Sequence, residues 1–231
     1  MQARISPTPL RLLRRAASAA ALGGFVLCAV LSAALSAAAP ARAADAVDGP
    51  PDTMILNLSS EVLESIRSDK AIQAGDFDRV QKLVNEKILP RVNFDKMTRL
   101  AVGRAWRTAT PEQRAALTEQ FRILLMRTYS GALSKVSDQK VRLKPGRAQD
   151  TTTDVIVHTQ IVASQGEPIG LDYRLEKTDA GWRIYDLNIQ GVWLVENYKG
   201  EFGATLGQSG VDGLIQVLRD KNQKLASAKA S

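Results

Sequence analysis

Between Asp154 and Ile189 the apolar residues recur at every second position, and on either side they recur at every third or fourth. No other feature constrains the fold as much. A strand buries alternate residues, whereas a helix buries a stripe with a period of about 3.6. In the central stretch Val155, Val157, Thr159 and Ile161 share one side, with Ile156, His158, Gln160 and Val162 on the other. Ile169, Leu171, Tyr173 and Leu175 alternate in the same way against Asp172, Arg174 and Glu176. Ser164 to Pro168 and Thr178 to Gly181 have turn composition, the second leading into Trp182 to Ile189, and Val141 to Leu143 adds a short strand. The expectation is an antiparallel, half-buried meander.

The flanking segments predict helices. Met54, Leu58, Val62 and Ile66 form one stripe. Asp76 opens a second helix with Phe77, Val80, Leu83, Val84 and Ile88 on its apolar face, and Pro90 ends or kinks it. Phe94 to Val102 is a third. At Thr110-Pro111-Glu112-Gln113 the Thr caps, Pro takes the first helical position and Gln reaches back to the cap. That helix runs to about Leu133, with Leu117, Phe121, Leu124 and Leu125 inward. After Gly191, Leu194, Tyr198, Phe202 and Leu206 make another stripe. Gly207 to Gly210 interrupts it, and Val211, Leu214, Ile215 and Leu218 follow. Helices, then a meander, then helices imply an α+β fold: a twisted antiparallel sheet covered by helices, with a helical N-terminal half.

The ends read differently. Arg4, Arg11, Arg14 and Arg15 precede an Ala-rich apolar run and then Ala41-Arg42-Ala43, the pattern of a cleaved secretory signal peptide over residues 1–43. Residues 44–52 read as a flexible linker and 53–225 as one domain, helical to about 135 and sheet plus helices from about 140. Residues 226–231 read as a tail. The chain carries 31 basic and 24 acidic residues, but five arginines and no acid lie in the leader. The remainder is nearly neutral, which excludes a nucleic-acid footprint. The one cysteine, Cys28, leaves with the leader, so thiol chemistry, disulfides and Cys metal sites are excluded. With His158 as the one histidine, a zinc site or a Ser-His-Asp triad has little material.

Two constellations bear on chemistry. Asp186 beside Tyr185, with His158 on a neighbouring strand, has the residue types of an isomerase or hydratase acid–base site. The plainer reading has Asp186 accepting backbone hydrogen bonds where the strand bends, with His158 on a polar face. Lys96, Arg99, Arg104 and Arg107 surround Trp106, as a solvated helix face or as a dock for an acidic partner or anionic headgroups.

The segments "ILPRVNFDKMTRLAVGRAWRTATPEQRAALTEQFRILLMRTYSGAL" and "GLDYRLEKTDAGWRIYDLNIQGVWLVENYKGEFGATL", followed by "GVDGLIQVL", resemble the MlaC family, also called the toluene-tolerance family. The resemblance runs from about Thr53 to Leu218. It implies a soluble periplasmic phospholipid carrier without enzymatic activity or cofactor. Such a carrier passes lipid between an inner-membrane ABC-transporter complex, through its substrate-binding subunit, and an outer-membrane lipoprotein/porin complex. Outer-membrane lipid asymmetry is thereby maintained in a Gram-negative envelope. The implied fold is nuclear-transport-factor-like. Two acyl chains of about 28 methylenes at ~0.8 kcal/mol each would cost on the order of 20 kcal/mol in water, so the tails must be enclosed. The slot is expected to be lined by Val102, Trp106, Phe121, Leu125, Val155, Val157, Ile161, Leu171, Tyr173, Ile184, Val192, Leu194, Tyr198 and Phe202. A carboxylate placed at Val192, Leu194 or Phe202 would then be hydrated by water in the empty slot, leaving the fold intact and abolishing tail binding. A periplasmic adaptor that binds only protein would instead have a solid core. One departure is Trp193, where many members carry a small polar residue; a narrower or reshaped pocket is expected near it.

Overall fold

The computed structural model describes residues 49–145 and 153–230. The segment read as a leader, its expected processing site and Cys28 lie outside the described residues. Helix α1 (Pro51–Ser68) begins two residues ahead of the expected Thr53, because Pro51 takes the first helical position, where its missing N–H is not needed. A short α2 (Lys70–Gln73), absent from the sequence reading, is capped by Asp69, whose carboxylate accepts from the N–H of Ala71 and Ile72 at 2.9 and 3.2 Å. Arg79 also donates to that carboxylate at 2.6 Å, and its hydrogen bond holds the Asp69 carboxyl below its ordinary pKa.

Asp76 caps α3 (Phe77–Leu83) as expected, and a turn of π-helix (Val84–Ile88) and one of 3₁₀-helix (Leu89–Arg91) carry the chain past Pro90. Asn93 caps α4 (Phe94–Val102) through the Lys96 N–H at 3.0 Å, and the single turn α5 (Ala105–Thr108) follows. Helix α6 (Pro111–Leu133) has the reciprocal cap its sequence predicts. Gln113 N–H donates to the Thr110 hydroxyl at 3.2 Å, and Thr110 N–H donates to Gln113 Oε1 at 3.0 Å.

The sheet is a five-stranded antiparallel meander in sequence order: β1 (Lys140–Leu143), β2 (Asp154–Val162), β3 (Ile169–Thr178), β4 (Gly181–Ile189) and β5 (Val192–Trp193). Strand β5 was read as the start of the helix. Gln190 (φ 51°) and Gly191 (φ 92°) instead make a two-residue turn with both φ positive, so Val192 pairs with Ile189 and Trp193 with Asn188. A bulge separates two pairs, Arg174 with Asp186 and Leu175 with Ile184, leaving Tyr185 as the extra residue. Beyond β5 the free edge of β4 is covered by a parallel bridge from Val92, with Asn93 N–H donating to the Ile184 carbonyl at 2.8 Å.

Helix α7 (Leu194–Ala230) is broken at Gly210 (φ 67°, ψ −164°), within the interruption expected from the sequence. It extends through residues expected to be tail. Leu225 packs on the helical core, and Asn222 donates to the Gln120 carbonyl at 2.9 Å, so the last turns of this Lys/Ala-rich segment have an anchor. No helix of the described residues is long and apolar enough to cross a membrane.

Candidate functional site

Strand alternation sorts the sheet into two faces. Val155, Val157 and Thr159 of β2 lie beside Leu171, Tyr173 and Leu175 of β3, and these beside Ile184, Leu187 and Ile189 of β4. This is the apolar face, and α1 closes it: Met54 and Ile55 are buried against Val155, Val157, Tyr173, Leu175 and Ile184, with Leu58 at the margin. Ile55 and Leu175 have no exposed surface at all. A second cluster lies among α4, α6 and α7, where Met97, Val102, Leu117, Phe121, Leu124, Leu194, Tyr198 and Phe202 are buried. Leu187 packs against both clusters and marks the seam between them.

The expected slot residues are thus divided. Val155, Val157, Leu171, Tyr173 and Ile184 belong to the sheet cluster. Val102, Phe121, Leu194, Tyr198 and Phe202, with Trp106 and Leu125 at its margin, belong to the helical one. Within the helical cluster the rings of Phe121 and Phe202 meet edge-on with centroids 5.1 Å apart, and Phe121 meets Tyr198 at 4.9 Å and Phe94 at 5.6 Å. In this conformation Phe202 is core. Its neighbours are aromatic rings from α4, α6 and its own helix, so a charge there would meet packed rings in this conformation.

Two other expected slot residues lie outside both clusters. Val192 is 52% exposed, on a two-residue strand at the sheet's edge. Ile161 pairs with Val141 and with Ile169, itself 40% exposed, and belongs to neither cluster. Trp193 does not narrow a pocket on the apolar face. Its partner Asn188 points to the opposite face with Asp186 and Arg174, and the Arg174 guanidinium stacks 3.9 Å from the Trp193 ring centre. Pairing register decides this, and the sequence pattern alone did not reveal it.

Polar groups on the apolar face are few and satisfied. The Thr159 hydroxyl donates to the Leu171 carbonyl, and the Tyr173 hydroxyl bonds Ser59 on α1 and Thr159. Burial pushes the Tyr173 phenol up to about 12, the Ser59 bond pulling weakly the other way. Burial likewise raises Tyr185 and Tyr198 to about 12, helped by Asp154 and Tyr129 respectively, and raises Tyr129. An acid with a raised folded-state pKa contributes stability fully present below its unfolded value near 10 and lost as pH rises through the folded one. These four are all the tyrosines in the chain. An alkaline titration is therefore expected to show little tyrosinate absorbance through pH ~10, with the rise coinciding with loss of circular dichroism. A full-amplitude titration near pH ~10 in folded protein contradicts this burial.

The acid–base reading fails on geometry. Asp186 is fully buried, and its Oδ1 accepts the N–H of Leu187 at 2.8 Å and of Val195 at 3.0 Å. Its Oδ2 accepts from Arg174 Nη1 at 2.9 Å. Burial raises its pKa against the pull of those donors. The carboxylate is committed to tying the bulged strand to the start of α7, as the plainer sequence reading has it. His158 Nδ1 lies 3.2 Å from Asp172, on the polar face and away from Asp186 in register. Among the described residues no group of His, Cys, Asp or Glu could hold a metal ion.

Beside α1, a cleft of about 540 Å³ has Met54 and Leu58 from the sheet cluster in its wall and Arg91, Arg183 and the Lys87–Glu61 pair (3.6 Å) around it. Sequence reasoning named none of these as functional. In the structure the cleft adjoins the π-helical turn at Val84–Ile88, a distortion that often marks functional sites but is not visible in the sequence.

The family model described as MlaC protein matches residues 56–220. The chain is 23% identical over 172 residues to the intermembrane phospholipid transport system binding protein MlaC of Haemophilus influenzae, covering 73% of this chain and 80% of that one. It is 22% identical over 163 residues to the toluene tolerance protein ttg2D of Pseudomonas putida, covering 70% and 75%. The solved structure of the phospholipid-binding protein from Ralstonia solanacearum, in complex with a phospholipid, matches with a TM-score of 0.73 and 42% identity, covering 76% of this chain and 98% of that one. The chain belongs to the MlaC family.

Proposed function

We propose that this protein is a periplasmic phospholipid carrier. It binds the acyl chains between the apolar sheet face and α1 and passes its cargo between inner-membrane and outer-membrane complexes, sustaining outer-membrane lipid asymmetry. The observation that carries this reading is the match, over 98% of its length, to a relative solved with phospholipid bound. The physics of the site supports it. The first half of α1 rests on the sheet through Met54, Ile55 and Leu58, while Arg67, at its far end, donates to the carbonyls of Ser137 and Gln139. Apolar contacts are non-directional, so acyl methylenes can replace those of α1 at little net cost, at about 25 cal/mol per Å² on either side of the exchange. Tails would enter by the cleft beside Met54 and Leu58, leaving the headgroup at its charged rim. The chemistry demands no cofactor.

Mass spectrometry of a solvent extract from exported, purified protein tests the reading. Phospholipid stoichiometric with protein is expected, and protein stripped of lipid should take it up again from vesicles. Protein that carries no lipid and acquires none refutes the carrier function and leaves a protein-only adaptor.

A further inference from the structure

Where α4 turns into α5 at Gly103 (φ 67°), the surface forms a recess of about 650 Å³ walled by Arg99, Leu100, Arg104, Trp106, Arg107 and Lys199. Four of these six side chains are cationic and none is acidic. Several cations elsewhere have acidic partners, as Lys87 has Glu61, Lys96 Glu176, Arg122 Glu119 and Lys221 Glu201. Arg99, Arg104, Arg107 and Lys199 are exposed and have no carboxylate partner among the described residues. Their self-repulsion disfavours the compact state, and their summed potential attracts anions.

The same recess offers apolar surface held in place. Leu100 is 37% exposed and Trp106 is half-buried. Arg114 donates to the carbonyls of Trp106 and Arg107 at 3.0 and 3.2 Å, and its guanidinium lies 5.7 Å from the Trp106 ring centre. The indole is thereby fixed before any partner arrives. Trp and Arg are among the side chains enriched where binding energy concentrates at protein interfaces.

We propose that this recess docks an acidic segment of a partner protein, one apolar side chain entering against Trp106 and flanking carboxylates pairing with the guanidinium groups. Guanidinium forks match carboxylates in bidentate geometry. Shape favours this occupant over an anionic bilayer. A membrane-binding face projects apolar side chains outward into the headgroup region, whereas Trp106 lies recessed between exposed cations. The four cations belong to neither apolar cluster, whereas Trp106 packs at the margin of the helical one, so reversing the cations tests docking apart from the cargo.

The test uses the exported protein as purified, labelled for NMR, and a synthetic peptide in which Glu residues flank one Phe; a control peptide has Lys for every Glu. Amide shifts are expected at residues 99–107 and 199, with binding that weakens as salt is raised. Arg104→Glu combined with Arg107→Glu should lower affinity at least about tenfold while the extracted lipid stays unchanged. Arg99→Glu with Lys199→Glu provides an independent pair should the first disturb folding. Shifts that map elsewhere, equal binding of the Lys peptide, or unaltered affinity in both reversed pairs overturn the proposal. So does an absence of peptide binding with charge-dependent partition onto phosphatidylglycerol/phosphatidylcholine vesicles, which makes the recess a membrane face.

Discussion

Replacing Asp186 with Ala is expected to cost about 3 kcal/mol of folding stability, a large share of what a domain this size possesses. The side chain has no exposed surface and serves three donors: the N–H of Leu187, the N–H of Val195 and the Arg174 guanidinium. Losing it strands two backbone N–H groups, each worth roughly 1–3 kcal/mol when buried without a partner. Arg174 suffers less, because its side chain is 30% exposed and can turn to water. Asp186→Asn keeps an acceptor for the N–H groups and loses only the charge facing Arg174, so it should fall between wild type and Ala. Urea denaturation of the three proteins measures the order. A near-neutral Asp186→Ala would mean that the first turn of α7 does not depend on this carboxylate.

Asp186 also shows which kinds of information the sequence carries. Its role as an acceptor at a bend was legible, because the one acid of this strand, set between Tyr185 and Leu187, must find donors. Which donors it finds depends on the bulge at Tyr185, and a bulge leaves no mark in a pattern of period two. The strands and the capped helices were legible for a related reason. Val155 and Val157 alternate, and Thr110 to Gln113 carries its own cap, so each statement needs only neighbouring residues. Strand β5 and helix α2 escaped notice because two paired residues and one helical turn are shorter than any period. The face that Trp193 occupies was not legible, because a turn, not a pattern, sets its register. The sorting of apolar residues into core and binding surface was the least legible part. A buried stripe has the same spacing whether it meets Phe121 or an acyl chain.

That ambiguity makes Phe202→Glu the most decisive substitution in this chain. Phe202 is 3% exposed, its ring is 5.1 Å from Phe121 and 5.5 Å from Tyr198, and Phe121 in turn holds Phe94 of α4. The change removes two aromatic pairs worth about 0.5–1.5 kcal/mol each. It also forfeits the roughly 3–5 kcal/mol that truncating a buried Phe costs, and leaves an unpaired carboxylate among rings. Together these approach the whole stability of an ordinary domain, about 5–15 kcal/mol. The variant should lose its cooperative melt and its near-ultraviolet circular dichroism. Leu171→Glu is the matched contrast. Leu171 sits half-buried on the sheet face at the margin of the α1 contact, where a carboxylate can reach water. That protein should fold, melt cooperatively and yield no phospholipid. If instead Phe202→Glu melts cooperatively and loses its lipid while Leu171→Glu keeps it, the tails lie among α4, α6 and α7. The aromatic cluster would then be the wall of the slot, and the sheet face under α1 would be plain core.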